Sequence, residues 1–199
     1  MATIPLPSDF KALIFDLDGT LADTMPVHLA AWREAGRVSG VEITDEMILT
    51  HTGMPTVAVA AKLNEQFGWS LVPEQVKADK DKAYARFKPQ LGVRAFAPVY
   101  EIAVAYRGKV PMAVGTGSSR NSAMDTLHHL AVVDWFDGIV TANDVEHPKP
   151  HPETFLRCAE LMGVAPADCV VFEDGAYGLQ AGEAAGMQVI DVRPYLEEA

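Results

Sequence analysis

Cysteine is nearly absent: Cys158 and Cys169 are the whole complement in 199 residues. Two thiols make no disulfide framework, and their spacing is not that of a metal knuckle. Both read as buried packing residues in a reducing compartment. Positive charge is scarce as well. Lys and Arg number 16 against 27 Asp and Glu, a net charge of −11, and no run rich in Lys or Arg is present. That balance argues against nucleic acid or an anionic membrane as partner, while leaving room for a local site that binds a small anion. No apolar stretch is long enough to span a bilayer. The opening residues, MATIPLPSDFK, have neither the basic start nor the long apolar segment of a secretory signal. The expectation is a cytoplasmic protein with no membrane contact and no obligate protein partner evident.

What is present is ordinary globular material, 49% hydrophobic and 22% charged, enough for one domain, or one domain with a small insert. Five short apolar runs read as strands: ALIF (12–15), VPMAV (110–114), GIVT (138–141), CVVFE (169–173) and MQVIDV (187–192). Most are continuous rather than alternating, as strands covered on both faces of a parallel sheet are. Helical patterns at about 120–130, 152–162 and 176–185 separate the last four. The alternation predicts an α/β doubly wound sheet. Residues 16–109 are too many for one crossover helix. They read as helices at about 26–38, 44–50, 55–67, 73–87 and 97–106, with Pro73 in a first turn and Thr44 as a cap. The expected organisation is a core of 1–23 and 94–199 and a helical subdomain of 24–93 over the sheet's C-terminal edge, where such folds bind ligands.

Four polar clusters end strands: Asp16 and Asp18; GTGSS (115–119); EHPKPHP (146–152); and EDG (173–175). In a parallel sheet they converge on one edge. Each has a bland alternative. DLDGT lacks the glycine that a calcium loop needs at its sixth position, where Leu21 stands, and the segment after it is helical rather than a hairpin return. VGTGSSR has Arg120 in place of the third glycine of a dinucleotide loop. Its small residues still offer N–H groups and hydroxyls to an anion, or simply a capping turn at Ser118 or Ser119. Lys149 taken alone is a solvated loop lysine. Gly178, Gly182 and Gly186 suit close helix packing. His128 and His129 read as helix surface, and His147 and His151 do not make a convincing metal pair.

Asp16-Leu-Asp18-Gly-Thr, Thr116, Lys149-Pro and Glu173-Asp174, in order over nearly the whole chain, resemble the four motifs of the haloacid dehalogenase-like (HAD) phosphohydrolases. The resemblance implies a Rossmann-like core with a helical cap inserted after the first motif. FEDGAYGLQAGEAAGM, PMAVGTGS and HLAAWREA are similar to the beta-phosphoglucomutase-like subfamily, nearest its bacterial phosphatases for fructose 1-phosphate and related sugar phosphates. By resemblance Asp16, the Asp18 carbonyl and Asp174 hold Mg²⁺, with Glu173 as ligand or behind one. Asp16 is the nucleophile, Asp18 the acid and base, Thr116 with the Gly117 and Ser118 amides the phosphoryl grip, and Lys149 the neutralising cation. His28, Gly53 and Lys80 fall at substrate-facing positions of the cap. Thr56 departs from the mutases, which carry an arginine near this point. Thr20 also leans away from them, since they often have valine there. Asp18 speaks against the dehalogenases of the superfamily, which have no leaving alcohol to protonate. A receiver-like regulatory module shares the strand-end Asp, Thr and Lys, but it has no large insert between its first two strands. The expected partner is a small-molecule phosphate ester.

Overall fold

A computed structural model describes residues 4–196. The chain begins with strand β1 (Ala12–Phe15), then a two-residue strand β2 (Ala22–Asp23). Four helices follow: α1 (Met25–Ser39), α2 (Asp45–Leu49), α3 (Thr56–Phe67) and α4 (Pro73–Leu91). A second short strand, β3 (Arg94–Ala95), leads to α5 (Ala97–Tyr106). From there strand and helix alternate: β4 (Met112–Gly115), α6 (Arg120–His129), β5 (Gly138–Val140), α7 (Glu153–Met162), β6 (Cys169–Glu173), α8 (Ala176–Ala184), β7 (Gln188–Asp191) and α9 (Arg193–Leu196).

Five strands form one parallel sheet in the order β5-β4-β1-β6-β7. β1 lies at its centre, which explains why ALIF is apolar throughout. Successive side chains point to opposite faces, and both faces are covered. Leu13 and Phe15 join Met112, Val114, Val170 and Phe172 on one side. Ala12 and Ile14 join Ala113, Val171, Phe155 and Cys158 on the other. Phe15 and Phe172 stack at 4.9 Å between centroids. Cys158 and Cys169 are both buried.

The chain leaves the sheet through β2 and returns through β3. These pair antiparallel, Ala22 with Ala95 and Asp23 with Arg94. Between them the helices build a hydrophobic cluster of their own from Trp32, Ile43, Ile48, Val59, Leu63, Leu71 and Val76. Inner residues of α1 and α4, among them Val27, Ala31 and Ala83, pack instead with the sheet. Thr44 caps α2, its hydroxyl accepting from the Met47 amide at 3.3 Å. Helix α4 starts at Pro73 as its sequence predicts but runs on past residue 87 to Leu91. Pro89 stands in its last turn, where a missing N–H costs one helical bond. Among the described residues no helix is long and apolar enough to cross a membrane.

Candidate active site

With β1 at the centre, the loops after β1, β4, β5 and β6 meet at one edge of the sheet. Lys149, from the loop between β5 and α7, has a fully buried side chain. Its ammonium donates to Asp16 Oδ1 at 2.7 Å, Glu173 Oε1 at 2.6 Å and the Gly115 carbonyl at 3.0 Å. All three of its donors are therefore used. Burial opposes the Lys149 charge, but Asp16 and Glu173 outweigh it and hold the ammonium well above the ordinary lysine range. The sequence alone leaves this residue open to a solvated reading; the fold removes it from water.

Asp16 is 4% exposed. Burial, then the Glu173 charge, push its carboxyl well up, and Lys149 pulls the other way. Asp174 is pushed up to about 7, by burial first and Glu173 second, although Thr20 donates to its Oδ1 at 2.8 Å. Asp16, Glu173 and Asp174 bring carboxylate oxygens within 4.8 Å of one another. Three acids around one ammonium leave an excess of negative charge. Two unit charges 4 Å apart repel by about 4 kcal/mol at an effective dielectric of about 20. The raised carboxyls express that excess, and an all-oxygen donor set of this kind suits a hard divalent cation.

Gly178 is fixed by the same cluster. A Cβ there would stand 1.7 Å from Glu173 Oε1. The glycine lets α8 pass directly beside the carboxylate, whose other oxygen accepts from the Gly175 amide at 2.6 Å.

Asp18, two residues from Asp16, sits in different surroundings. Its Oδ1 accepts from Thr24 at 2.7 Å and from His28 Nε2 at 3.1 Å. Its Oδ2 accepts from Ser118 at 2.5 Å and from Thr116 at 3.4 Å. Burial works against its ionisation, but His28 and then the Ser118 and Thr24 hydroxyls prevail and hold the carboxyl below the usual range. His28 itself is lowered, by burial and then by Lys80, so it gives up its proton more readily than a free histidine. The Asp18 carboxylate is thus held by His28 and by the hydroxyls of Thr24 and Ser118. Ser118 donates to Asp18 while Ser119 caps α6, accepting from the Ser122 amide at 3.4 Å. The capping turn that the sequence leaves open between these two serines falls to Ser119.

Next to Asp18 a cavity of about 280 Å³ is lined by Asp18, Thr116, Gly117 and Ser118 from the sheet edge and by His28, Trp32, Gly53, Thr56 and Lys80 from the helical segment. Asp16 and Lys149 lie buried beside it rather than on its wall. The loop at 52–53 covers the site closely. A Cβ on Gly117 would meet the Gly53 carbonyl at 2.6 Å, and one on Gly175 the Thr52 carbonyl at 2.7 Å. Lys80 is 8% exposed. It lies 5.4 Å from the Trp32 ring centroid and donates to Thr56 at 3.3 Å. Burial brings its pKa down to about 8. His28, Gly53 and Lys80 are thus all brought to one cavity with Asp18.

Three neighbours are not among the residues that the sequence singles out. Thr24 bonds to Asp18 but stands in no motif. Tyr84 stacks on His28 at 4.6 Å between centroids. His51 lines the cavity at 7% exposure, with Nδ1 against the Met47 carbonyl at 2.7 Å. Only the polar character of the HTG stretch hints at it.

Residues 10–186 match the family model described as haloacid dehalogenase-like hydrolase. Among curated proteins, the chain is 40% identical over 184 residues to the fructose-1-phosphate phosphatase YqaB of Escherichia coli, covering 92% of this chain and 97% of that protein. It is 26% identical over 188 residues to a beta-phosphoglucomutase of Bacillus subtilis, covering 92% and 83%. The crystal structure of a hydrolase from Pseudomonas syringae superposes with a TM-score of 0.83 at 25% identity, over 91% of this chain and 84% of that one. On sequence and on fold, the chain belongs to the haloacid dehalogenase-like hydrolases.

Proposed function

We propose that this chain is a Mg²⁺-dependent phosphatase that hydrolyses a small sugar phosphate, of the fructose 1-phosphate kind, through an aspartyl-phosphate on Asp16. The observation that carries the reading is the pair of unlike carboxylates on one loop. Asp16 lies against Lys149 and the acidic cluster, and Asp18 lies among hydroxyls and an imidazole at the cavity. Neighbouring carboxyls in contrasting environments are the usual mark of divided roles in catalysis. The similarity to a protein named as a fructose-1-phosphate phosphatase supports the substrate class.

In this mechanism an Asp16 oxygen attacks phosphorus, and the bond from phosphorus to the sugar oxygen breaks. Asp18 gives its proton to that oxygen. Water then attacks phosphorus and passes a proton to Asp18, and the bond to Asp16 breaks to release inorganic phosphate. Thr116 and the amides of Gly117 and Ser118 hold the phosphoryl oxygens, and Lys149 offsets their charge. Asp18 has to acquire its proton first. Drawing the Ser118 hydroxyl onto a phosphate dianion removes one of the bonds that keep Asp18 ionised, and the dianion's charge raises it further. Asp16, the Asp18 carbonyl and Asp174 would hold Mg²⁺, with Glu173 as ligand or behind one. The ion's charge lets a carboxylate nucleophile and a phosphate dianion share the pocket. Residues 24–93 act as a cap that opens to admit substrate, with His28, Gly53 and Lys80 facing the sugar and the close loop at 52–53 excluding water.

Beta-phosphoglucomutase is the nearest competing reading, and Thr56 weighs against it. A mutase has to hold a second phosphate in the cap, best with a bidentate arginine. Here Thr56 is neutral and accepts from Lys80. A phosphate-release screen over a sugar-phosphate panel tests both readings. Release is expected with Mg²⁺ and not in excess chelator. Beta-glucose 1-phosphate with a bisphosphate primer should give inorganic phosphate and little glucose 6-phosphate. Full activity in chelator would refute the metal requirement, and glucose 6-phosphate formed faster than inorganic phosphate would make the chain a mutase.

Asp18→Asn probes the acid. The backbone carbonyl remains, so Mg²⁺ affinity should persist while turnover of sugar phosphates falls roughly 10²- to 10⁴-fold. An aryl phosphate, whose leaving group needs little protonation, should lose much less. Equal losses on the two substrates would remove Asp18 from that role.

A further inference from the structure

On sequence alone His147 and His151 do not make a convincing metal pair; in the fold their rings lie close together. The loop that delivers Lys149 turns so that the two imidazoles lie 4.7 Å apart between centroids, with their planes 36° from parallel. Glu153, the first residue of α7, completes the group. One nitrogen from each ring and one Glu153 oxygen all lie within 4.8 Å of one another. We propose that His147, His151 and Glu153 form a second metal site, for a borderline divalent ion of the zinc class, on the outer side of the loop that carries Lys149.

The donor chemistry separates this site from the acidic cluster. Two imidazoles and one carboxylate suit Zn²⁺ and disfavour Mg²⁺, which takes oxygen ligands. The carboxylate is already oriented. Glu146 and His147 donate their backbone N–H groups to its two oxygens, each at 3.0 Å. Those two bonds, one to each oxygen, fix the plane of the carboxylate beside the His147 ring. Outer contacts of this kind fix a ligand's direction. His147 Nδ1 stands 3.0 Å from Glu153 Oε2. Two ligand atoms each ~2.0–2.2 Å from a tetrahedral ion sit ~3.3–3.6 Å apart, a separation the exposed ring reaches by a small shift. Binding would put the ion where the imidazole proton now lies. His151 Nδ1 faces the Glu153 amide at a long 3.3 Å, a weak contact that is easily given up. Both histidines are exposed, so their rings can swing to close the remaining distance. All three ligands come from residues 147–153, which keeps the ordering cost low. An ion there would fasten the segment that places Lys149 against Asp16.

Calorimetric titration of Zn²⁺ into the full chain, with Mg²⁺ in large excess to occupy the carboxylate cluster, tests the proposal without reference to the reaction. One Zn²⁺ per chain is expected to bind. His147→Ala and His151→Ala should each weaken that binding by at least about tenfold and leave Mg²⁺-supported turnover unchanged. Asp174→Asn, which alters the other cluster, should leave Zn²⁺ affinity as it is. Zn²⁺ binding that survives both histidine substitutions, that disappears with Asp174→Asn, or that is absent under excess Mg²⁺ would overturn the assignment.

Discussion

Asp16→Asn is expected to lower turnover by on the order of 10⁴- to 10⁶-fold, the range seen when the reacting member of a catalytic unit is removed. The amide keeps the shape of the side chain but is a poor nucleophile. The fold should survive. Burial and Glu173 already push the Asp16 carboxyl up, so a neutral group at this position relieves repulsion instead of creating it. The variant should unfold at the same denaturant concentration as the parent, or a higher one, when no metal is added. Steady-state phosphate release and urea unfolding on the same preparation check both halves. Activity within tenfold of the parent would rule out attack by Asp16.

Lys149→Met is expected to reverse that pattern, with loss of activity and a large loss of stability together. Methionine fills much of the lysine's volume but strands Asp16 and Glu173, each of which the ammonium contacts within 2.7 Å. Removing one partner of a buried ion pair costs about 3–5 kcal/mol, because an uncompensated charge stays behind. The pH dependence follows from the direction of the shifts. Without the ammonium, the folded-state pKa of Asp16 rises further above its unfolded value. Across the interval between those two values the folded state binds the extra proton, so stability falls as pH rises through it and recovers below it. The deficit against the parent should therefore be largest at pH 8 and shrink toward pH 5. Urea unfolding at the two pH values measures it. A deficit below about 1 kcal/mol at pH 8, or one that grows on acidification, would contradict this role of Lys149 between Asp16 and Glu173.

The sheet and the four strand-end clusters are legible in the sequence because each is a contiguous signal. ALIF, CVVFE and the polar residues that follow them need only the rule that parallel strands end at one edge. The ribbon of β2 and β3 is not legible: two residues carry no periodicity, and the pairing of Asp23 with Arg94 exists only once the helices between them have packed. Lys149 shows how far tertiary context overrides local character. A lysine flanked by prolines in a polar loop has the composition of solvated surface, yet its side chain is wholly buried. His51 reaches the cavity from the loop after α2 and Tyr84 from a turn of α4, and no spacing in the chain announces either. The His147, His151 and Glu153 group escapes for a related reason. Its spacing fits no regular helix or strand, and only the observed turn of the loop brings the donors together.

The central claim is that the phosphoryl group rests on Asp16 between leaving the sugar and meeting water. The stereochemistry at phosphorus tests it most directly, with a substrate made chiral at that atom and the configuration of the released phosphate determined. Each in-line displacement inverts the centre. Transfer to Asp16 followed by hydrolysis therefore predicts net retention, whereas net inversion would mean that water attacks the substrate directly and that Asp16 is not the nucleophile.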